Sequence, residues 1–456
     1  MHLQMGLGLH TGLAAPLLYG AAIAACLLGF LRPAISVYFM VLLVPLQTTR
    51  YKLHEFPFGS KVIDFLLLSA IIGCLIKGWS FVPSKLNRLI ILFCLFYYFS
   101  LWRGVFFLDC DWPITTSDLR LQMWKNYMLL PLIFFVVVMA IREAKQIKIL
   151  LGVMCVASLY VAQSFLRSVS GRDFSHFSYS VRDAGVLGYA GENGLGAFEV
   201  ELTAMLLALA FCKGLPRYFR MFIWGVLACN TYCILFSFSR GAYLATLLLL
   251  LLFGLFKDRK LLLVMVLLAV GWQVLTPKAV QERVSMTYDE KSGTVDGSAG
   301  ERLQLWEDAF NLIKANPVLG TGFDTYEFMG RVGDFRDTHN YYLKVLVETG
   351  IPGLILILVL IWRFYATGWT LFRSAEDPFL KSLGFGFAAM AMVVFVVNIF
   401  GDRWLYMQVN GYTWILLGCA MRGQLIANEE ARELQEPPPV HDPEAMFNEL
   451  PVPAAQ

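Results

Sequence analysis

Long apolar runs dominate this chain, and they constrain its fold more than any other feature. They lie near residues 12–30, 34–47, 62–77, 88–108, 127–141, 147–166, 196–212, 220–238, 241–256, 260–276, 346–365, 380–399 and 404–421. Most approach the ~20 residues that an α-helix needs to cross a ~30 Å hydrocarbon core. Segments of about ten residues with alternating polarity, the mark of a membrane β-barrel, are absent from the sequence. Composition agrees: 57% of residues are hydrophobic and only 16% charged, whereas a soluble domain carries roughly a quarter charged residues. The reading is an all-α polytopic membrane protein with about 12 (12–13) transmembrane helices.

Basic residues collect in alternate connections. Lys77, Lys85 and Arg88 form one group, and Arg142, Lys145 and Lys148 a second. The others are Lys213, Arg217 and Arg220; Lys257, Arg259 and Lys260; Arg363, Arg373 and Lys381; and Arg422. The positive-inside rule makes these places cytoplasmic. The opposite set, 48–61, 109–126, 167–195, 239–240, 277–345 and 400–403, then faces the far side of the membrane and includes the longer polar loops, with 277–345 the largest. Thirteen spans put the N-terminus outside, and twelve put it inside. The first run has no basic segment before it, so a removable signal peptide is not expected.

The organisation that follows is an N-terminal set of transmembrane helices over 1–180, a core over 181–425 that includes the 277–345 loop, and a tail over 426–456. The tail is proline-rich, acidic and too poor in apolar residues to offset the entropy of ordering, so it is expected to be a disordered cytoplasmic segment. Eight of the nine cysteines lie inside apolar runs and read as small hydrophobes, with Cys110 at the end of one. The net charge of +3 is scattered in short clusters, which gives no footprint for nucleic acid.

The long polar interruption, from Gln281 to Gly353, is where chemistry is expected. His339 is its only histidine and precedes a helix, beside Asp337, Thr338 and Asn340. An imidazole there can take a proton from a hydroxyl nucleophile, or can simply bond the backbone at a helix start. Arg240 interrupts FSFSRGAYLATLLLL at the outer end of two apolar runs, where it either binds an anion or reaches to lipid headgroups. Arg302 opens a partly helical apolar pattern, Leu303, Leu305, Trp306, Ala309, Phe310 and Ile313; it reads as an anion ligand or as the partner of Glu301 or Asp308. Arg182 lies in the glycine-rich stretch VRDAGVLGYAGENGLGAF, which lets backbone approach a bulky ligand but fits no nucleotide fingerprint. No cluster has metal-ligand spacing, so an anionic, phosphorylated substrate without a structural metal is expected.

These elements resemble the O-antigen ligase and O-antigen polymerase superfamily of bacterial envelope glycosyltransferases. The matching segments are SRGA at 239–242, GERLQLWEDAF at 300–310, NPVLGTGFDTY at 316–326 and HNYYLKVLVETGIPG at 339–353, with Arg182, Asn193 and Gly194 resembling a shorter outer loop. The resemblance covers roughly 180–400. It implies a multi-pass protein of the inner membrane with about twelve transmembrane helices, one large periplasmic loop over 277–345 and its active site facing the periplasm. There a glycan passes from undecaprenyl diphosphate to an acceptor hydroxyl, on lipid A-core or on another glycan, with no nucleotide, metal or other cofactor. Residue by residue, it makes His339 the base for the acceptor hydroxyl and Arg240 and Arg302 ligands of the diphosphate, with Arg182 a fourth member. The implied partners are the lipid-linked donor, the acceptor and membrane lipids.

The leading expectation is a ligase, with a polymerase of O-antigen or exopolysaccharide next. An oligosaccharyltransferase acting on protein and a lipid-linked glycan transporter are further alternatives. A transporter would place ionisable groups near the bilayer midplane, and Glu199 and Glu201 are the acidic residues that bear on it.

Overall fold

The computed structural model describes residues 14–46, 62–109, 112–114, 119–188, 190–286, 288–289, 294–295, 297–331 and 338–433. Cys110, Asp334, Asp337, the whole 48–61 loop and residues 434–456 of the expected tail lie outside the described residues. In chain order the helices are α1 (Ala14–Leu31), α2 (Pro33–Leu43), α3 (Val62–Ile76), α4 (Lys85–Leu108), α5 (Leu119–Ala140) and α6 (Ala144–Ser168). They continue with α7 (Gly191–Ala210), α8 (Arg217–Phe236), α9 (Arg240–Phe256), α10 (Lys260–Val270), α11 (Trp272–Leu275) and α12 (Lys278–Ser285). The last four are α13 (Gly297–Ala315), α14 (Tyr341–Ser374), α15 (Pro378–Val397) and α16 (Met407–Glu433).

Every apolar run read from the sequence falls on a helix. Seven helices among the described residues, α4 to α8, α14 and α15, are long and apolar enough to cross a membrane, and α1, α2, α3, α9 and α10 are shorter apolar helices. Two details depart from the sequence reading. Tyr288–Asp289 pairs antiparallel with Thr294–Val295, so a two-residue ladder interrupts the otherwise helical chain. Helix α16 also runs on to Glu433, into the stretch expected to be tail, because IANEEARE is rich in helix-favouring alanine and glutamate and meets no proline before Pro437.

Helix α7 is the centre of the bundle. Nearly all of its residues from Gly194 onward are buried, because apolar and small residues surround its whole circumference and let α8, α9, α15 and α16 approach closely. Helix α10 is the opposite case, with no residue buried.

Helix α14 is broken where the sequence reads GIPG. Gly350 takes φ 68° and ψ −171°, a conformation suited to glycine, and Pro352 follows. The break frees backbone groups that would be costly to leave unpaired inside a bundle. The 317–323 loop supplies their partners. Thr321 N donates to Val347 O at 2.9 Å, Gly322 N to Glu348 O at 2.7 Å, and Ile351 N to Pro317 O at 2.9 Å. On its other side the loop is held by α4: Phe323 N donates to Ser100 O at 3.0 Å, and Gly322 lies so close to Gly104 that a side chain on it would overlap the Gly104 backbone. The two glycine-containing motifs are thus halves of one structure, a loop inserted into a broken helix.

A methyl group on Gly350 would overlap the Val318 carbonyl oxygen. Gly350→Ala is therefore expected to lower stability by roughly 1–3 kcal/mol from backbone strain alone, read as a lower thermal unfolding midpoint in detergent. An unchanged midpoint would remove the inserted loop as a determinant of the fold.

Candidate active site

The loop insertion fixes how α13 lies on α14. Trp306 Nε1 donates to Thr338 O at 3.0 Å, and Pro317, just past α13, meets Ile351, so the two helices run in the same direction. Between them Leu305, Ala309 and Leu312 of α13 pack with Leu343 and Val347 of α14 and with Tyr326. Arg302 precedes this stripe by one turn on the same face of α13, which sets it at the His339 end of the pair. Asp308, a partner the sequence suggested for Arg302, accepts instead from Arg331 Nε at 2.8 Å and from Tyr326 O–H at 3.5 Å.

His339 precedes α14 in the left-handed region, at φ 50°. Non-glycine residues rarely adopt it, histidine more often than most, and such outliers gather at functional sites. The helix cap is supplied by the next residue: Asn340 Oδ1 accepts from Leu343 N at 3.1 Å. Thr338 Oγ1 donates to Asn340 O at 2.7 Å and completes the turn. His339 thus lies one residue before the cap of α14.

Arg240 is the first residue of α9, whose cap is the Ser239 side chain. Its neighbour Gly241 packs on Phe400, at the turn that follows α15. The same turn reaches the head of α14 from the other side, since Tyr342 O–H donates to Phe395 O at 2.8 Å and Lys344 Nζ lies 3.2 Å from Asp402 Oδ2. Residues 395–402 thus form a strap between the α9 start, with Arg240, and the α14 start, with His339.

Arg182 is placed one step back from this centre. Its Nε and Nη2 both donate to Ser237 O at 3.3 Å, and Nη2 also donates to Asn193 Oδ1 at 3.1 Å and lies 3.8 Å from Glu192. Arg283, from α12, donates to the next carbonyl, Phe238 O, at 3.3 Å and lies against the rings of Phe177 and Tyr179. Two guanidinium groups therefore hold successive carbonyls of the turn before Arg240, a turn in which Phe238 is left-handed at φ 52°. Glu282 ties α12 to the same loop: it accepts from Phe177 N at 2.6 Å and His176 Nδ1 at 2.7 Å. Those hydrogen bonds hold its carboxyl below the usual range.

Sequence reading missed the buried charges that join these parts. Lys344, one turn into α14, bridges Asp402 and Asp324 Oδ1, the latter at 3.3 Å, and all three side chains are almost fully buried. Burial pushes the Asp324 carboxyl up against the pull of Lys344, and Arg120 and Glu327 also act on it. Arg403 Nη1 donates to Ala190 O at 3.2 Å, which links the strap to the start of α7 beside Asn193. Beneath Lys344, Tyr127 O–H accepts from Trp404 Nε1 at 2.6 Å and lies 3.1 Å from the Tyr341 hydroxyl. A lysine inside an apolar run, four residues after Asn340, was the available signal.

Arg240 and His339 thus stand at two helix starts joined by the 395–402 strap, and Arg302 lies on the helix packed along α14. Guanidinium groups suit a phosphate-bearing ligand, and an imidazole suits proton transfer from a hydroxyl. The family model described as O-antigen ligase matches residues 225–358, from within α8 to within α14. That stretch holds Arg240, Arg302 and His339 and leaves out Arg182. The chain is also similar to the exopolysaccharide production protein ExoQ of Rhizobium meliloti (strain 1021), with 30% identity over 119 residues, 23% of this chain and 27% of ExoQ. It spans about a quarter of the length of this curated relative.

Proposed function

We propose that this chain, whose residues 225–358 belong to the O-antigen ligase/polymerase superfamily, transfers a glycan from undecaprenyl diphosphate to an acceptor hydroxyl at the periplasmic end of its bundle in the bacterial inner membrane. What supports this reading is the 395–402 strap, which touches Gly241 beside Arg240 and Tyr342 near His339, together with the packing of α13, which carries Arg302, along the start of α14. His339 removes the acceptor proton as the hydroxyl oxygen attacks the anomeric carbon. The bond to the diphosphate oxygen breaks in line, with inversion. Arg240 and Arg302 stabilise the charge that develops on the leaving group, the role a metal plays in other enzymes, so neither metal nor nucleotide takes part. Arg182 and Arg283 position the Ser237–Phe238 turn from which Arg240 projects. The apolar spans hold the polyprenyl tail.

Ligation to lipid A-core is the first reading of the acceptor, supported by the description of the matching family. Polymerisation is the second, favoured by the relative named for exopolysaccharide production. Deleting the gene separates them. Uncapped lipid A-core with accumulated lipid-linked polymer indicates a ligase, and core capped by one repeat unit indicates a polymerase. Arg240→Ala and Arg302→Ala are expected to weaken use of the diphosphate-linked donor, each by about 10²-fold or more in transfer rate. Donor kinetics equal to the parent protein in both variants would take these arginines out of the site.

A further inference from the structure

Gly196, Glu199 and Thr203 lie about one turn apart on one face of α7, opposite α8, which runs the other way. At the top of this seam a side-chain carbon on Gly196 would lie 2.9 Å from Ser237 Oγ. One turn lower the antiparallel packing brings Glu199 level with Cys233, and the same spacing brings Thr203 level with Asn230. Glu199 and Asn230 have no exposed surface and Thr203 has 8%. Both Glu199 carboxyl oxygens, Thr203 Oγ1 and Asn230 Nδ2 are buried without a hydrogen-bond partner, while Ser158 Oγ donates to Asn230 Oδ1 at 2.9 Å.

On the α16 side, Tyr412 packs on Phe198 of α7 and its hydroxyl donates to Val41 O. Glu201 turns to α16, where Thr413 Oγ1 donates to it at 3.4 Å. On α9, Arg240 stands at the site end, and on α15, Lys381 stands at the opposite end. Among the described residues, no cationic side chain pairs with the Glu199 carboxyl. An ionised carboxylate in that setting costs far more than a neutral acid. Four buried polar atoms in one seam match the two to four bonds an internal water makes. A sodium ion would draw on backbone carbonyls freed by an unwound helix, but α7 is unbroken here.

We propose that the α7–α8 seam is an intramembrane proton-binding site, in which Glu199 is a neutral carboxylic acid joined to Thr203 and Asn230 through internal water. The site stands apart from the glycan-transfer reading and does not depend on it. The test is infrared difference spectroscopy of the intact protein in phospholipid vesicles at neutral pH, comparing the parent chain with Glu199→Gln and Glu201→Gln. The expected result is a carboxylic-acid C=O band that shifts in D₂O, disappears in Glu199→Gln and persists in Glu201→Gln. Glu199→Asp, which keeps the acid, should move this band rather than remove it, and serves if the glutamine variant fails to fold. Loss of a carboxylate band instead, or disappearance of the acid band on adding sodium to the parent chain, would overturn the proposal in favour of an ionised, sodium-bound Glu199. An acid band that does not shift in D₂O would overturn the water connection.

Discussion

His339→Ala is expected to lower glycan transfer by about 10²–10⁴-fold, the usual contribution of a positioned general base, while the protein reaches the membrane in normal amounts. The second half of that expectation follows from the local structure. Asn340 caps α14 and the Thr338 carbonyl holds Trp306, so the helix start keeps its hydrogen bonds when the imidazole is removed. Alanine at φ 50° costs roughly 1 kcal/mol in the left-handed region, too little to unfold the chain. His339→Gly separates the two effects: it relieves the backbone and still lacks the base, so its activity should match that of the alanine variant. Full transfer activity in either variant would end the assignment of His339 as the base.

Lys344→Met should be the most damaging single change to the architecture of the site. It leaves Asp324 and Asp402, both almost fully buried, without the ammonium that lies 3.3 and 3.2 Å from them. Breaking a buried ion pair by removing one partner costs about 3–5 kcal/mol. Asp324 follows the loop that enters the break in α14, and Asp402 belongs to the strap beside Arg240, so one substitution loosens both. Thermal unfolding in detergent should show a markedly lower midpoint, with transfer activity falling alongside. Adding Asp324→Asn to Lys344→Met should recover part of the loss, because it removes one of the two stranded charges. A Lys344→Met protein as stable as the parent would show that the bridge does not hold the site together.

The sequence made the helices legible because each apolar run has to bury itself in lipid or protein, and that requirement is local. The break at GIPG is equally local in origin, since Gly350 and Pro352 act on their own backbone, although the sequence reading ran the span 346–365 through it. What pairs with the break was not legible. The contact between Gly322 and Gly104 and the hydrogen bonds from 321–322 to α14 join segments distant in the chain, and nothing in either segment names the other. The candidate residues followed a similar division. His339, Arg240 and Arg302 stood out as polar residues at helix heads, whereas Lys344, Asp324 and Asp402 acquire meaning only as a buried trio. Arg182 was legible as a cation in a glycine-rich loop, but its engagement with the Ser237 carbonyl comes from packing that no local pattern encodes.

The function proposed for this bundle is transfer of a glycan at its periplasmic end, as opposed to carriage of the glycan across the membrane. The direct test reconstitutes the purified protein in phospholipid vesicles with an undecaprenyl-diphosphate-linked glycan and a hydroxyl-bearing acceptor, in the presence of a chelator and without nucleotide. The acceptor should gain the glycan, one equivalent of undecaprenyl diphosphate should be released for each transfer, and His339→Ala should slow both by about 10²–10⁴-fold. A glycan that stays lipid-linked and only changes its side of the vesicle membrane would contradict the proposed transfer.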